Sequence, residues 1–196
     1  MMHPSSSLSL VSPEIGYGVY ATEFIPAGTI VYVADPLEIL VEPDDPRLDV
    51  PALRDVIEKY SYIDENGVRI VSWDTAKYVN HSCDPNTMST GYGFEIAVRD
   101  IHPGDEITDE YGMLNISSPL HCRCGALRCR GIVRAEDLDE RHAEWDECLQ
   151  AALTLSVRVP QPLGPLLDAA ARQRIDDFVR GGEGYVSVAA LRHRAL

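Results

Sequence analysis

Short apolar runs separated by turn signals dominate the first 130 residues of the chain. Asn66-Gly67 is typical of a hairpin turn and would join Tyr62-Ile63 to residues 68–71. Three further runs have the β-branched and aromatic content of strands: Val19-Tyr20-Ala21, residues 30–33 and residues 94–98. The turn residues Pro103-Gly104-Asp105 predict another strand from Glu106. Only one short helix is expected here, through Leu53, Val56, Ile57 and Tyr60, so this part is predicted to be mostly β.

The pattern changes after Gly131 and becomes helical. Apolar positions recur at helical spacing through residues 136–155, which predicts an amphipathic helix that would also bury Cys148. Residues 160–165 interrupt the pattern with prolines. A second helix is expected from Leu166 to Arg180, because Gly181-Gly182 is a strong stop signal. This tail carries no recognisable chemistry. Packing on the strand domain is favoured over the alternative, a homodimer contact through the two helices.

Length and composition set the class of protein. A chain of 196 residues that is 45% apolar has room for one domain with a core and an appendage. No apolar run approaches the roughly 20 residues needed to cross a bilayer. Residues 1–13 lack the basic and apolar segments of a secretory signal. We therefore expect a protein that is not secreted, has no membrane partner and is cytoplasmic, or nuclear in a eukaryote.

The charge of the chain restricts its partners. With 31 acidic and 17 basic residues, the net charge is −14. Direct binding of nucleic acid is disfavoured, because duplex binding needs a basic surface. A basic protein or lysine-rich peptide would be attracted instead. An acidic surface that serves only to keep the protein dissolved is the simpler alternative, since the charge alone names no partner.

Four of the five cysteines form a pattern typical of a metal site. Cys83 lies in the polar segment 80–86, and Cys122-x-Cys124-x4-Cys129 follows. Four thiolates suit a tetrahedral structural zinc ion, and in a reducing compartment a disulfide framework is the weaker alternative. If Cys83 is a ligand, the metal would hold the C-terminal cysteine loop over Asn80 and His81. A nucleophilic pair of Cys83 with His81 is a competing hypothesis that lacks a third orienting group.

Four segments follow one another in a fixed order along the chain. They are residues 16–21 (Gly-Tyr-Gly-Val-Tyr-Ala), residues 78–86 around Asn80-His81-Ser82-Cys83, residues 103–112 ending in Glu110-Tyr111-Gly112, and the cysteine segment 122–131. Together they resemble a SET-domain protein lysine methyltransferase with a post-SET zinc loop. The resemblance implies a mostly β, β-clip type SET fold with a pseudoknot-like core. It also implies three parts: a SET domain at 12–115, a post-SET loop at 116–134 and a helical C-terminal extension at 135–196.

The resemblance also implies the roles of individual residues. Tyr111 would be catalytic and would contact the cofactor, S-adenosylmethionine. The other cofactor contacts would come from Gly16, Tyr17, Gly18, Asn80 and His81. One structural zinc ion would be held by Cys83, Cys122, Cys124 and Cys129. The implied activity is methyl transfer to the ε-amino group of a lysine in a histone-like or other basic protein. A catalytically impaired SET-fold binding module is the alternative, whereas a zinc-dependent nucleic-acid module conflicts with the charge of −14.

This chain departs from the family pattern near the expected lysine channel. Asp109 stands where the family has tyrosine or phenylalanine, and Glu110 stands where the family has aspartate. Two interpretations of Asp109 remain open. It could point into the channel and attract a cationic lysine or a water molecule. It could instead face solvent, which would leave another aromatic residue, Tyr60, Tyr62 or Tyr92, to form the channel wall.

Overall fold

The computed structural model describes residues 1–194. Its twelve strands are β1 Ser6–Ser12, β2 Gly16–Ala21, β3 Ile30–Val33, β4 Ile39–Val41, β5 Ser61–Ile63, β6 Arg69–Val71, β7 Asn80–His81, β8 Thr87–Ser89, β9 Phe94–Ala97, β10 Glu106–Asp109, β11 Leu120–His121 and β12 Ile132–Val133. The three α-helices are α1 Pro51–Tyr60, α2 Asp137–Ser156 and α3 Ala169–Gly181. The fold is mostly β with a helical C-terminal extension, as predicted.

The strands form four small sheets, in the orders β1-β2-β10-β7, β3-β9-β8, β4-β6-β5 and β11-β12. Most neighbouring strands are antiparallel, and Asn66-Gly67 lies in the turn between β5 and β6 as expected. The pairing of β10 with β7 is parallel and places Thr108 beside Asn80 and Asp109 beside His81. Segments nearly thirty residues apart in sequence therefore lie next to each other at the centre of the molecule.

Two clusters of buried apolar side chains hold the sheets together. One lies under β2, β3 and β10 and includes Val19, Val31 and Ile107. The other joins the sheet β3-β9-β8 to the C-terminal helices and contains Phe94, Trp145 and Leu149, among others. The C-terminal extension therefore packs on the strand domain, which is the favoured alternative. A homodimer through the same helices stays a prediction.

The helical predictions hold with small shifts in their ends. The second helix begins at Ala169 rather than at Leu166, because the Asp168 side chain accepts a hydrogen bond from the Ala171 amide and caps the helix. The prediction that Cys148 is buried was wrong, since its side chain is exposed. It lies just beyond the edge of the buried stripe that Trp145, Leu149 and Ala152 form on α2. Within residues 1–194, none of the helices has the length and apolar character required to span a bilayer.

Candidate active site

The first part of the site is built around the side chain of Asn80. Its amide nitrogen donates to the backbone oxygen of Tyr17 at 3.1 Å and to the Glu106 carboxylate at 2.7 Å. Gly18 lies against this pair of hydrogen bonds, and a Cβ atom there would stand 3.0 Å from the Asn80 amide nitrogen and would overlap Glu106 Oε1. The predicted cofactor residues of β2 and β7 are therefore neighbours, and close packing requires glycine at position 18.

Gly16 and Tyr17 begin β2 and are less buried than Gly18 and Val19. Gly16 has a φ angle of +92° and open space where a side chain would be, so its glycine is needed for backbone conformation. The Tyr17 side chain is about half exposed, with its ring edge-on to Tyr78 at 6.0 Å between centroids. An exposed aromatic face beside the Asn80 network is available to a bound molecule.

His81 connects the Asn80 strand to Tyr111 and to the cysteines. Its Nδ1 atom lies 3.2 Å from the Tyr111 backbone nitrogen and 3.1 Å from the Asp109 carbonyl oxygen, and its Nε2 atom lies 3.3 Å from the Cys83 sulfur. A neutral imidazole has one N–H, so Nδ1 either donates to the Asp109 carbonyl or accepts from the Tyr111 N–H, and in the second tautomer the ring hydrogen is on Nε2 and faces Cys83. Burial, with the nearby Arg130 charge, lowers the pKa of His81 to about 4, so the ring is neutral at physiological pH.

A cavity of about 350 Å³ opens beside these residues, and we call it the central cavity. Its deeper wall is formed by Tyr32, Tyr62, Val79, Glu95, Asp109 and Tyr111. The Tyr111 hydroxyl donates to the Val79 carbonyl at 2.6 Å, which fixes the direction of the ring. Burial, reinforced by the Asp109, Glu95 and Glu106 charges, raises the pKa of Tyr111. The phenol therefore stays protonated at physiological pH.

Asp109 points into the central cavity rather than toward solvent. The residue is only 2% exposed, and its Oδ1 atom has no hydrogen-bond partner among residues 1–194. Burial is the main cause that raises the pKa of Asp109 to about 7, and the charge of Glu110 adds to it. Of the three tyrosines considered for the channel wall, Tyr60 and Tyr62 line the cavity. Tyr92 instead packs in the core against Tyr185.

The four predicted metal ligands come together on one side of His81. The sulfur atoms of Cys83, Cys122, Cys124 and Cys129 all lie within 4.8 Å of one another. Cys122 Sγ is 3.7 Å from Cys83 Sγ and 3.6 Å from Cys129 Sγ. Tetrahedral thiolates at a metal–sulfur distance of about 2.3 Å are separated by roughly 3.8 Å, so the observed spacing fits such an ion. Although burial opposes it, the Cys83 amide N–H helps to lower the pKa of the Cys124 thiol to about 7, which favours a thiolate.

A buried ion-pair network joins the site to the C-terminal helix. Glu110 is 1% exposed and accepts hydrogen bonds from the Arg130 guanidinium and from the Gly112 amide. Arg130 also lies 3.4 Å from the Asp137 carboxylate at the start of α2, and its guanidinium lies over the Trp145 ring at 5.9 Å. Arg130 therefore links Glu110, which is next to Tyr111, to Asp137 at the start of α2, and so connects the site, the cysteine loop and the C-terminal helix.

Three residues of this site were not identified from the sequence. Glu95 sits between apolar neighbours in β9, where alternation predicts an outward-facing side chain, yet it lines the central cavity. Glu106 follows a turn and reads as a surface acid, yet it holds Asn80. Arg130 lies between Cys129 and Gly131 in the cysteine segment. Its role is to pair with the buried Glu110 carboxylate, which only the structure shows. No local sequence signal distinguishes these charges from surface residues.

Comparison with known proteins identifies a domain within the chain. Residues 16–112, just under half of the chain, match the SET domain. Similar proteins include histone-lysine N-methyltransferase ATX2 of Arabidopsis thaliana, 36% identical over 75 residues that are 35% of this chain and 7% of that protein. Histone-lysine N-methyltransferase Set2 of Drosophila melanogaster is 28% identical over 67% of this chain and 6% of its own length. This chain spans less than a tenth of both relatives.

Two further similarities concern a shorter relative and a solved structure. The putative histone-lysine N-methyltransferase ASHH4 of Arabidopsis thaliana is 24% identical over 73% of this chain and 44% of that protein. A crystal structure of KRYPTONITE in complex with mCHH DNA, H3(1-15) peptide and SAH is 24% identical, with a TM-score of 0.46 over 65% of this chain and 29% of that one. The similarity to both is therefore partial.

Proposed function

We propose that this protein transfers a methyl group from S-adenosylmethionine to the ε-amino group of a lysine in a protein substrate. The observation that carries the proposal is the position of Tyr111. Its hydroxyl is fixed at the wall of the central cavity by Val79, directly before the Asn80-His81 strand. A cavity with an aromatic wall suits the aliphatic stem of a lysine, and the SET-domain family supports the reaction class.

The cofactor would lie along β2 and β7. The fixed Asn80 amide, the backbone of residues 16–18 and the exposed Tyr17 ring offer polar and aromatic contacts to its amino-acid and sulfonium groups. Gly18 allows that backbone to pass close to Asn80 and Glu106. When bound, S-adenosylmethionine supplies an electrophilic methyl group on a cationic sulfur.

Tyr111 would align the reacting atoms rather than move a proton. Its own hydrogen is donated to the Val79 carbonyl, so the oxygen lone pairs remain free to face the cavity. They can attract a polarised methyl group by weak C–H···O contacts, which are directional although individually small. Because the raised pKa keeps the phenol neutral, the contribution of Tyr111 is orientation.

The cysteine cluster would hold one structural zinc ion. Four sulfur atoms close the coordination sphere, so the metal has no open position for substrate. Through Cys83 the ion would tie residues 122–130 to the strand that carries Asn80 and His81. The Nε2 atom of His81 faces the Cys83 sulfur, and in the tautomer that carries its hydrogen on Nε2 it would donate to the bound thiolate and stabilise it.

A basic protein is the substrate class that the charges favour. The net charge of −14 attracts it, and the acidic depth of the central cavity attracts its lysine. The rim of the cavity carries both signs, with Lys59, Arg69 and Lys77 beside Glu58. Residues 12–115 would perform the reaction, 116–134 would cover it and 135–196 would support it, in a cytoplasmic or nuclear location.

The test is methyl transfer from labelled S-adenosylmethionine to a panel of lysine-rich proteins. Tyr111→Phe removes the aligning oxygen and should lower transfer by at least about 100-fold if that oxygen directs the reaction. Tyr185→Phe is the matched control, since it removes another buried hydroxyl that bonds Asp146 away from the cavity. Equal rates in the native protein and Tyr111→Phe would refute the role of Tyr111. Cofactor binding without any transfer across the panel would favour the impaired binding module.

A further inference from the structure

Two carboxyl groups line the central cavity, and within residues 1–194 neither forms an ion pair with a basic side chain. Asp109 is nine-tenths or more buried and lines the cavity, and in the described part of the chain its Oδ1 atom has no hydrogen-bond partner. Glu95 lines the same cavity from β9. Buried charges without partners are costly, so such groups are expected to serve a ligand or a reaction.

Four of the polar groups that line the cavity are engaged by other partners. The Tyr32 hydroxyl donates to Glu38 at 2.7 Å, and the Tyr111 hydroxyl donates to Val79. Lys77 caps the backbone carbonyls of residues 72–74, and Lys59 lies over the Tyr60 ring. The depth of the cavity therefore offers acceptors and is suited to a cation that brings its own N–H donors.

The local backbone explains why Asp109 and Tyr111 reach the same cavity. Asp109 ends β10, and Glu110 keeps an extended backbone before a 3-10 turn begins at Tyr111, so the side chains at 109 and 111 point to one side. Asp109 and Tyr111 face the cavity, while Glu110 between them turns to Arg130. An amine aligned by Tyr111 would consequently lie near the Asp109 carboxylate.

We propose that Asp109, assisted by Glu95, takes the proton from the target lysine ammonium before methyl transfer. This inference rests on the proposed function. The ammonium N–H bond breaks and an O–H bond forms on the Asp109 carboxylate. The freed nitrogen lone pair then forms the N–C bond while the S–C bond of S-adenosylmethionine breaks and its electron pair stays on sulfur. The proton on Asp109 returns to solvent when the methylated lysine leaves.

Burial and neighbouring acidic charges raise the pKa of both carboxyl groups. Burial, followed by the Asp109 charge, raises the pKa of Glu95, and burial raises the pKa of Asp109 to about 7. A base is most effective when its pKa lies near the working pH. The other titratable groups around the pair are Tyr32, Glu58, Lys59, Tyr60, Tyr62, Arg69, Lys77, Glu110, Tyr111 and the α-amino group of Met1.

The pH dependence of kcat/KM separates this proposal from a structural role. With a single-lysine peptide identified by the transfer panel, the native enzyme should keep its activity down to about pH 7, where Asp109 titrates. In Asp109→Asn, kcat/KM should be about 100-fold lower than in the native enzyme at pH 7 and should rise about tenfold for each pH unit. The reason is that this variant can use only the fraction of lysine that is already deprotonated in solution. Asp55→Asn removes the same charge from the exposed face of α1 and should keep the native profile. A native profile in Asp109→Asn would overturn the proposal.

Glu95→Gln provides a second variant should Asp109→Asn fold poorly. Burial and the Asp109 charge raise the pKa of Glu95, so Glu95 is protonated when Asp109 titrates and Glu95→Gln should keep the native acid limb. Loss of the acid limb in Glu95→Gln would contradict the assignment of the base to Asp109.

A binding measurement works even if no substrate is found. Butylammonium, a mimic of the lysine side chain, should raise the melting temperature of the native protein at pH 8 more than 1-butanol does. Asp109→Asn should lose that preference. Equal effects of the two probes on the native protein would refute the cation site. A cation preference without methyl transfer would instead show that the proposed function had failed.

Discussion

Replacing Gly18 with alanine tests how the cofactor strand is built. The new Cβ would lie 2.7 Å from Val11 Cγ2 and 3.0 Å from Asn80 Nδ2, and it would overlap Glu106 Oε1. These atoms are the ends of side chains, so they can move away without unfolding the sheet. The Glu106 carboxylate would then leave the Asn80 amide to which it is hydrogen-bonded at 2.7 Å.

The size of the effect follows from that bond. A hydrogen bond to a charged group contributes about 1.5–3 kcal/mol, so losing the fixed orientation of Asn80 should weaken S-adenosylmethionine binding by about 10- to 100-fold. Isothermal titration calorimetry measures the affinity, and thermal melting shows that the variant is folded. Gly181→Ala is the control, because that position has open space around it and no left-handed backbone. A folded Gly18→Ala protein with the native affinity would refute the proposed role of the Asn80 network.

Three further predictions concern the metal, the buried ion pair and the buried acid. Metal analysis should find one zinc ion per chain, and chelation should lower the melting temperature and the cofactor affinity together; full affinity after chelation would disprove the coupling. Arg130→Met should destabilise the protein by about 3–5 kcal/mol by stranding Glu110, and Glu110→Gln in the same chain should restore most of the loss in urea unfolding. Asp109→Asn should be about as stable as the native protein at pH 4 and roughly 2–4 kcal/mol more stable at pH 8. The sign follows because burial raises the folded pKa of Asp109 from 3.8 to about 7, so the native penalty grows as pH rises through that window.

Features encoded in neighbouring residues could be predicted from the sequence. The Asn66-Gly67 hairpin, the helix at Asp137–Ser156 and the spacing of the cysteines are examples, because turn chemistry, periodicity and ligand type are local. The parallel pairing of β7 with β10 places Asp109 beside His81, and no local pattern predicts that register. The direction of the Asp109 side chain remained open for the same reason.

The positions of residues that are set by contacts distant in sequence could not be predicted from the sequence. Glu95 alternates with buried apolar neighbours and so resembles a surface acid, but the second face of β9 borders a cavity rather than solvent. Arg130 is placed by a buried partner twenty residues earlier. Cys148 was assigned to the buried face of α2, although the contact surface of the helix ends just short of it.

Methyl transfer to lysine is tested most simply by mass spectrometry. A single-lysine peptide is incubated with the protein and with S-adenosylmethionine that carries an isotopically labelled methyl group, and its mass is then measured. The proposed function predicts a labelled methyl group on the lysine side chain, located by fragmentation and strongly reduced in Tyr111→Phe. An unmodified peptide in every substrate tested, or a label that appears equally in Tyr111→Phe, would contradict it.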